Sequence, residues 1–86
     1  LRAGQPDAAA RAAQEAFDYA LQHLGDTHWL TAQCQATLGY AHADAGNTPE
    51  AIHTLTEARE RFLKSVTTDN PRVITIDERL AKLRTP

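Results

Sequence analysis

The chain has 86 residues, of which 42% are hydrophobic and 23% are charged, and its formal net charge is −2. This slight acidic excess argues against a nucleic-acid partner or an anionic membrane surface, because both require a basic field. The single cysteine, Cys34, excludes an internal disulfide and is predicted to be a small buried hydrophobe. No apolar run approaches the ~20 residues that cross a bilayer, so we expect a cytoplasmic protein without a membrane partner. Since the sequence starts at Leu1 and contains no methionine, we also expect it to be part of a larger protein.

Alanine and larger apolar residues recur at helical spacing along the whole chain, and no alternating run competes with them. The periodicity predicts an all-α fold with four helices. Their expected ranges are 6–24, 27–45, 49–66 and 71–83. Short connections between these ranges predict that consecutive helices pack antiparallel.

Turn-forming residues mark the predicted helix ends. The prolines that are expected at helix starts are Pro6, Pro49 and Pro71. Thr48 and Asn70 precede two of them and are predicted N-caps. Gly25 and Gly46 are predicted to end helices, because glycine adopts positive φ without a steric penalty.

A displacement of forty-two residues aligns the two halves of the chain. It superposes Ala3, Gly4, Ala9, Glu15, Ala16, Leu21 and Leu38 on identical residues at 45, 46, 51, 57, 58, 63 and 80. It also carries one stripe, Ala9, Ala13, Ala16, Ala20 and Leu24, onto Ala51, Leu55, Ala58, Phe62 and Val66. A second stripe, Thr31, Cys34, Leu38 and Ala41, falls on Val73, Ile76, Leu80 and Leu83. Two kinds of helix therefore alternate, and both Ala9–Leu24 and Ala51–Val66 stripes are predicted to be buried.

The residues Leu38, Gly39, Gly46, Ala51, Leu55 and Ala58 resemble the pattern of the tetratricopeptide repeat. The long period and the Leu-Gly-Asp-Thr-His-Trp-Leu-Thr segment at 24–31 are similar to the variant found in kinesin light chain and in many bacterial signalling proteins. The segment 69–73 resembles the same entry one repeat later, with Asn70 in place of the usual His and Val73 in place of the usual Thr. In this register, 1–24 is the second helix of one repeat, 25–66 is a complete repeat, and 67–86 is the first helix of the next.

The resemblance implies a fragment of a right-handed α-solenoid that binds a protein or peptide within a larger, bacterial signalling or regulatory protein. Two alternatives stay open: the repeats mediate self-association through their open ends, or they control a parent kinase or transcription regulator. The family binds its ligands in a concave groove lined by the first helix of each repeat. Carried over residue by residue, the predicted groove consists of Gln33, Thr37, Tyr40, Asp44, Thr75, Glu78, Arg79 and Lys82.

The groove departs from two known ligand classes of the family. Ala36 and Thr37 replace the adjacent asparagines that hold a peptide backbone in kinesin light chain, and the Lys and Asn set that grips a C-terminal carboxylate is missing. Trp29 is either a cap on the apolar seam or an exposed anchor. We expect changes at Tyr40, Arg79 or Lys82 to weaken binding and leave the melting temperature nearly unchanged.

No pattern in the sequence points to catalysis or to a bound cofactor. None of the four histidines has a second histidine at the i, i+4 spacing of a helical zinc site. Tyr40, His42 and Asp44 lie within one turn but point to diverging faces, so they do not form a catalytic group. We therefore expect no enzyme activity, no metal and no cofactor.

Overall fold

The computed structural model describes residues 5–85, which form four α-helices and no strand. These are α1 (Gln5–Leu24), α2 (Trp29–Asp44), α3 (Thr48–Phe62) and α4 (Pro71–Arg84). The all-helical prediction is confirmed. The largest difference from the predicted bounds is at the end of α3, where the amides of Ser65 and Val66 both donate to the carbonyl of Phe62. This tight turn satisfies the terminal carbonyl and stops the helix before Val66.

The helix ends agree with the predicted signals at most positions. Gly25 and Gly46 have φ values of 91° and 82°, as predicted for glycines that end helices. Asn70 caps α4, since its side chain accepts a hydrogen bond from the Arg72 amide at 2.9 Å. Thr48 is not the cap of α3: the helix begins at Thr48, and the preceding Asn47 is the cap residue.

The cap at Asn70 has a measurable contribution to stability. Replacing Asn70 with alanine removes the acceptor for the Arg72 amide, so we expect the free energy of unfolding to fall by about 1 kcal/mol. Chemical denaturation of the two proteins measures this difference. Asn47→Ala is the matched control, because the Asn47 side chain makes no capping hydrogen bond. Equal losses in the two variants would contradict the assignment.

The main core lies where α2, α3 and α4 meet. Its buried members are Ala32, Ala36, Leu55, Ala58, Phe62, Val73, Ile76 and Leu80. The prediction for the Ala51–Val66 stripe is confirmed at Ala51, Leu55, Ala58 and Phe62, which are fully buried, but Val66 lies beyond the end of α3 and is only half-buried. The prediction for α1 was wrong in part.

On α1, Ala13 and Ala20 are buried, but Ala9, Ala16 and Leu24 are exposed. The reason is the number of neighbours. Within residues 5–85, α1 packs closely against α2 and meets α3 where the Arg61 guanidinium lies 5.4 Å from the centroid of the Phe17 ring, whereas α3 packs against both α2 and α4. A single closely packed helix covers one side of α1 and leaves the other side in solvent.

The direction of each helix follows from its side-chain contacts. Gly39 of α2 lies against Leu55 of α3, and Gln35 lies against Arg61, so residue numbers rise along one helix as they fall along the other. The same reversed order relates α3 to α4. Its contacts are Arg59 with Asp77 and Thr56 with Arg84. Consecutive helices in this part of the chain therefore run antiparallel.

A polar network ties α2 to α3 beside the core. Gln35 is only 2% exposed, and its amide donates to Glu57 at 3.0 Å while its oxygen accepts from Arg61 at 2.9 Å. Arg61 also pairs with Asp26, which accepts a second bond from Lys64 at 2.5 Å. Burial lowers the pKa of Arg61. The network satisfies a buried amide that would otherwise be costly to desolvate.

Candidate functional site

Two arginines of α4 lie over aromatic rings of α2 and join the two helices. The guanidinium of Arg72 is 4.9 Å from the centroid of Trp29, and its Nη1 donates to Oε1 of Gln33 at 2.8 Å. The guanidinium of Arg79 is 4.8 Å from the centroid of Tyr40. Numbers rise together along both helices in these contacts, so α2 and α4 run parallel. Each cation over a ring contributes about 0.5 to 2 kcal/mol.

Tyr40 contributes to both the surface and the core. It is half-buried and packs against the main core cluster. Burial raises the pKa of its hydroxyl, and the positive charge of Arg79 opposes that rise, so the group remains a neutral hydrogen-bond donor at pH 7. Because the ring packs on the core, Tyr40→Ala is now expected to lower the melting temperature, which changes the expectation from sequence for this residue.

The two threonines of the predicted groove bond within their own helices. Thr37 donates its hydroxyl to the Gln33 carbonyl at 3.0 Å, and Thr75 donates to the Pro71 carbonyl at 2.9 Å. Both side chains are exposed. They therefore present methyl groups and a free acceptor lone pair to solvent without bridging the helices.

The charged members of the predicted groove differ in position. Lys82 is exposed on α4 and has no carboxylate partner among the side chains described at 8–85. Asp44 is exposed at the last residue of α2. Around the axis of α4, Glu78 lies between Lys82, four residues later, and Ala81, three residues later. Its equivalent forty-two residues earlier is Ala36, which is buried beside α3, so Glu78 lies at the edge of the surface.

Arg72 is the residue that sequence reasoning missed. It contacts Trp29 and Gln33 together and thereby orders one end of the surface. A signal was present, since Arg72 and Arg79 have the same seven-residue spacing as Gln33 and Tyr40. Trp29 itself is 42% exposed and lies between the guanidinium of Arg72 and the ring of His28, so its position fits a partial cap whose ring stays accessible in part.

The shared face of α2 and α4 is named the α2–α4 surface below. Its members are Trp29, Gln33, Thr37, Tyr40, Asp44, Arg72, Thr75, Arg79 and Lys82. Three bases and one acid belong to this surface, and the exposed acid Glu78 lies at its edge, so the surface has an excess of one positive charge although the whole chain has a net charge of −2. The positive charge is therefore concentrated on one face, next to two aromatic rings and a carboxamide.

Comparisons with protein-family models, with curated proteins and with solved structures find no match for this chain. Within residues 5–85, no group of three or more His, Cys, Asp or Glu side chains is placed to hold a metal ion. None of the helices α1 to α4 is long and apolar enough to span a bilayer.

Proposed function

We propose that this chain is a helical-repeat module of the tetratricopeptide type that binds an extended acidic peptide segment on the α2–α4 surface. The observation that carries the proposal is the pair of parallel helices, α2 and α4, joined through Arg72 on Trp29 and Arg79 on Tyr40. Parallel first helices side by side, with their second helices behind, are the arrangement that a right-handed solenoid of such repeats requires. The forty-two-residue repeat supports the same arrangement.

The chemistry of the surface favours carboxylates. A guanidinium that stacks on a ring still presents its N–H groups at the edge of its plane, where they can hold a carboxylate with two hydrogen bonds. Arg79 and Lys82 are one helical turn apart, so adjacent acidic groups of a peptide can meet both. Tyr40 adds a hydroxyl. Gln33 already bonds to Arg72 and Thr37, and it retains a second amide N–H and a second carbonyl lone pair for the peptide backbone.

The mechanism is docking without chemistry. A ligand loses its own conformational freedom on binding, and a preformed surface limits the further cost to the protein. Arg72 and Arg79 already hold ordered positions on the rings of α2 in the free chain. We infer that the module serves as a binding part of a larger signalling or regulatory protein, as the resemblance at 24–31 implies.

The test compares two charge-matched double variants. Peptides are first selected on the wild-type chain from a random display library, and the dissociation constant of the selected sequence is then measured by calorimetry. We expect acidic residues to be enriched and R79A/K82A to weaken binding by at least about tenfold, since charge-assisted hydrogen bonds contribute about 1.5 to 3 kcal/mol each. R11A/R84A removes the same charge elsewhere and is expected to bind like the wild type.

Tyr40→Phe examines the hydroxyl separately, because it keeps the ring that packs on the core. We expect weaker binding with a nearly unchanged melting temperature. Selection of basic or purely apolar peptides, or equal loss of affinity in the two double variants, would contradict the proposed function.

A further inference from the structure

An open cleft of about 390 Å³ lies between α3 and α4, on the opposite flank of α4 from Arg72 and Arg79. It is lined by Thr56, Arg59, Asp77, Leu80, Ala81 and Arg84. Arg59 donates to Asp77 at 2.6 Å across the cleft. Ile74, one helical turn from Asp77, is 43% exposed. In this lining Leu80 is apolar and Ala81 is small, and the arginines and Asp77 supply charges of both signs.

The sequence repeat identifies an equivalent cleft between α1 and α2, and that one is filled. Its lining residues, forty-two positions earlier, are Gln14, Phe17, Gln35, Leu38, Gly39 and His42. Helix α3 occupies it. Leu55 packs directly on Gly39, while Arg61 lies 5.4 Å from the ring of Phe17 and donates to Gln35. A helix equivalent to α3 in the repeat therefore packs into a cleft of this kind.

Helix α1 is the repeat equivalent of α3, and no residue in the described range 5–85 covers its corresponding face. Ala51 and Ala58 of α3 are fully buried, whereas their equivalents Ala9 and Ala16 are exposed. Tyr19 occupies the position of Arg61. Its exposure is 66%, against 16% for the Arg61 side chain in the filled cleft.

From this equivalence we propose that α1 of a second copy of the chain docks in the cleft between α3 and α4, so that copies join head to tail. Tyr19 of one copy then faces Asp77 of the other, as Arg61 faces Gln35 within the chain, and its hydroxyl donates to the carboxylate. Ala81 stands where Gly39 stands in the filled cleft, so the small side chain still allows the helices to approach closely.

The net charges of α1 and α4 favour contact between α1 of one copy and α4 of another over contact between two identical helices. Among the side chains of α1 that the structure describes, Glu15 and Asp18 are acidic and Arg11 is basic. Helix α4 has four bases and two acids, namely Arg72, Arg79, Lys82, Arg84, Asp77 and Glu78. Opposite net charges meet when α1 docks on α4, whereas two α1 helices or two α4 helices repel each other. An interface between two different surfaces leaves one free surface of each kind after the first contact, so further copies can add and the assembly grows with concentration unless the rotation between copies closes a ring.

Sedimentation velocity of the chain over a wide concentration range tests the proposal. The wild type is expected to pass from monomer through dimer to larger species. A16R on α1 and A81R on α4 each place a charged, bulky side chain in the joint, and each is expected to raise the dissociation constant at least about tenfold. T37R is the control, since Thr37 is exposed on the α2–α4 surface and belongs neither to α1 nor to the cleft between α3 and α4. Circular dichroism establishes that all variants remain folded.

Mixing the two disrupted variants distinguishes head-to-tail joining from any symmetric contact. A16R keeps an intact α4 cleft and A81R keeps an intact α1 face, so an equimolar mixture is expected to form a dimer and nothing larger. A wild-type chain that stays monomeric at every concentration would overturn the proposal. So would a dimer that stops growing in the wild type, or a mixture of A16R and A81R that remains monomeric while both are folded.

Discussion

Replacing Phe62 with alanine is expected to lower the free energy of unfolding by about 3 to 5 kcal/mol, the largest effect of any single truncation in this chain. Phe62 is fully buried at the end of α3, in the cluster that also holds Val73, Ile76 and Leu80 of α4. Truncation leaves a cavity where α3 and α4 meet. The free energy of unfolding falls both because the ring is no longer transferred from water into the core and because its neighbours lose packing contacts. A domain of this size has only about 5 kcal/mol or a little more of stability, so a large fraction of the variant is expected to be unfolded.

Urea denaturation, followed by circular dichroism at low protein concentration, measures the change. Tyr19→Ala is the control, because it removes an aromatic ring that is mostly exposed on α1. Substitutions at such positions change stability by less than about 0.5 kcal/mol. Similar losses for Phe62→Ala and Tyr19→Ala would show that α3 and α4 do not share the core described above.

Gly39→Val is expected to destabilise the chain by about 1 to 3 kcal/mol, although glycine is a poor helix former. A Cβ on Gly39 would lie 2.6 Å from both Cγ and Cδ2 of Leu55 and 3.3 Å from the Leu55 amide nitrogen. The branched carbon of a fully buried leucine cannot move aside without disturbing the core. The penalty from overpacking therefore exceeds the gain in helix propensity.

Ala81→Val is the matched control for Gly39→Val, because Ala81 occupies the equivalent position on α4 and is exposed. At low protein concentration its thermal melt is expected to resemble that of the wild type. A Gly39→Val chain that melts at or above the wild-type temperature would contradict the close approach of α2 and α3.

Local chemistry made the helices predictable. Asn70 next to Pro71 and the positive φ of Gly25 and Gly46 are set by neighbouring backbone groups, so a sequence reading can find them. The misplaced cap at Thr48 shows the limit of that reading. A threonine before a proline has the features of an N-cap, but the turn after Gly46 starts the helix one residue earlier.

The burial of α1 was not predictable from periodicity, because periodicity shows which residues share a face and not how many neighbours cover it. Ala9 and Ala58 belong to equivalent stripes, yet only Ala58 is buried. For the surface, the resemblance indicated Tyr40 and Arg79, and the structure brings them together. The seven-residue spacing of Arg72 and Arg79 was a signal for Arg72, but its contacts with Trp29 and Gln33 depend on the register between two helices that are not adjacent in sequence.

Peptide binding at the α2–α4 surface is tested by following the backbone amide NMR signals as a selected acidic peptide is added to the chain. We expect the largest shifts at Gln33, Thr37, Tyr40, Thr75 and Arg79, with small changes along the outer faces of α1 and α3, and a weaker effect as salt screens the bases. Shifts concentrated on α1 or α3, with the α2–α4 surface unchanged, would contradict binding at this surface.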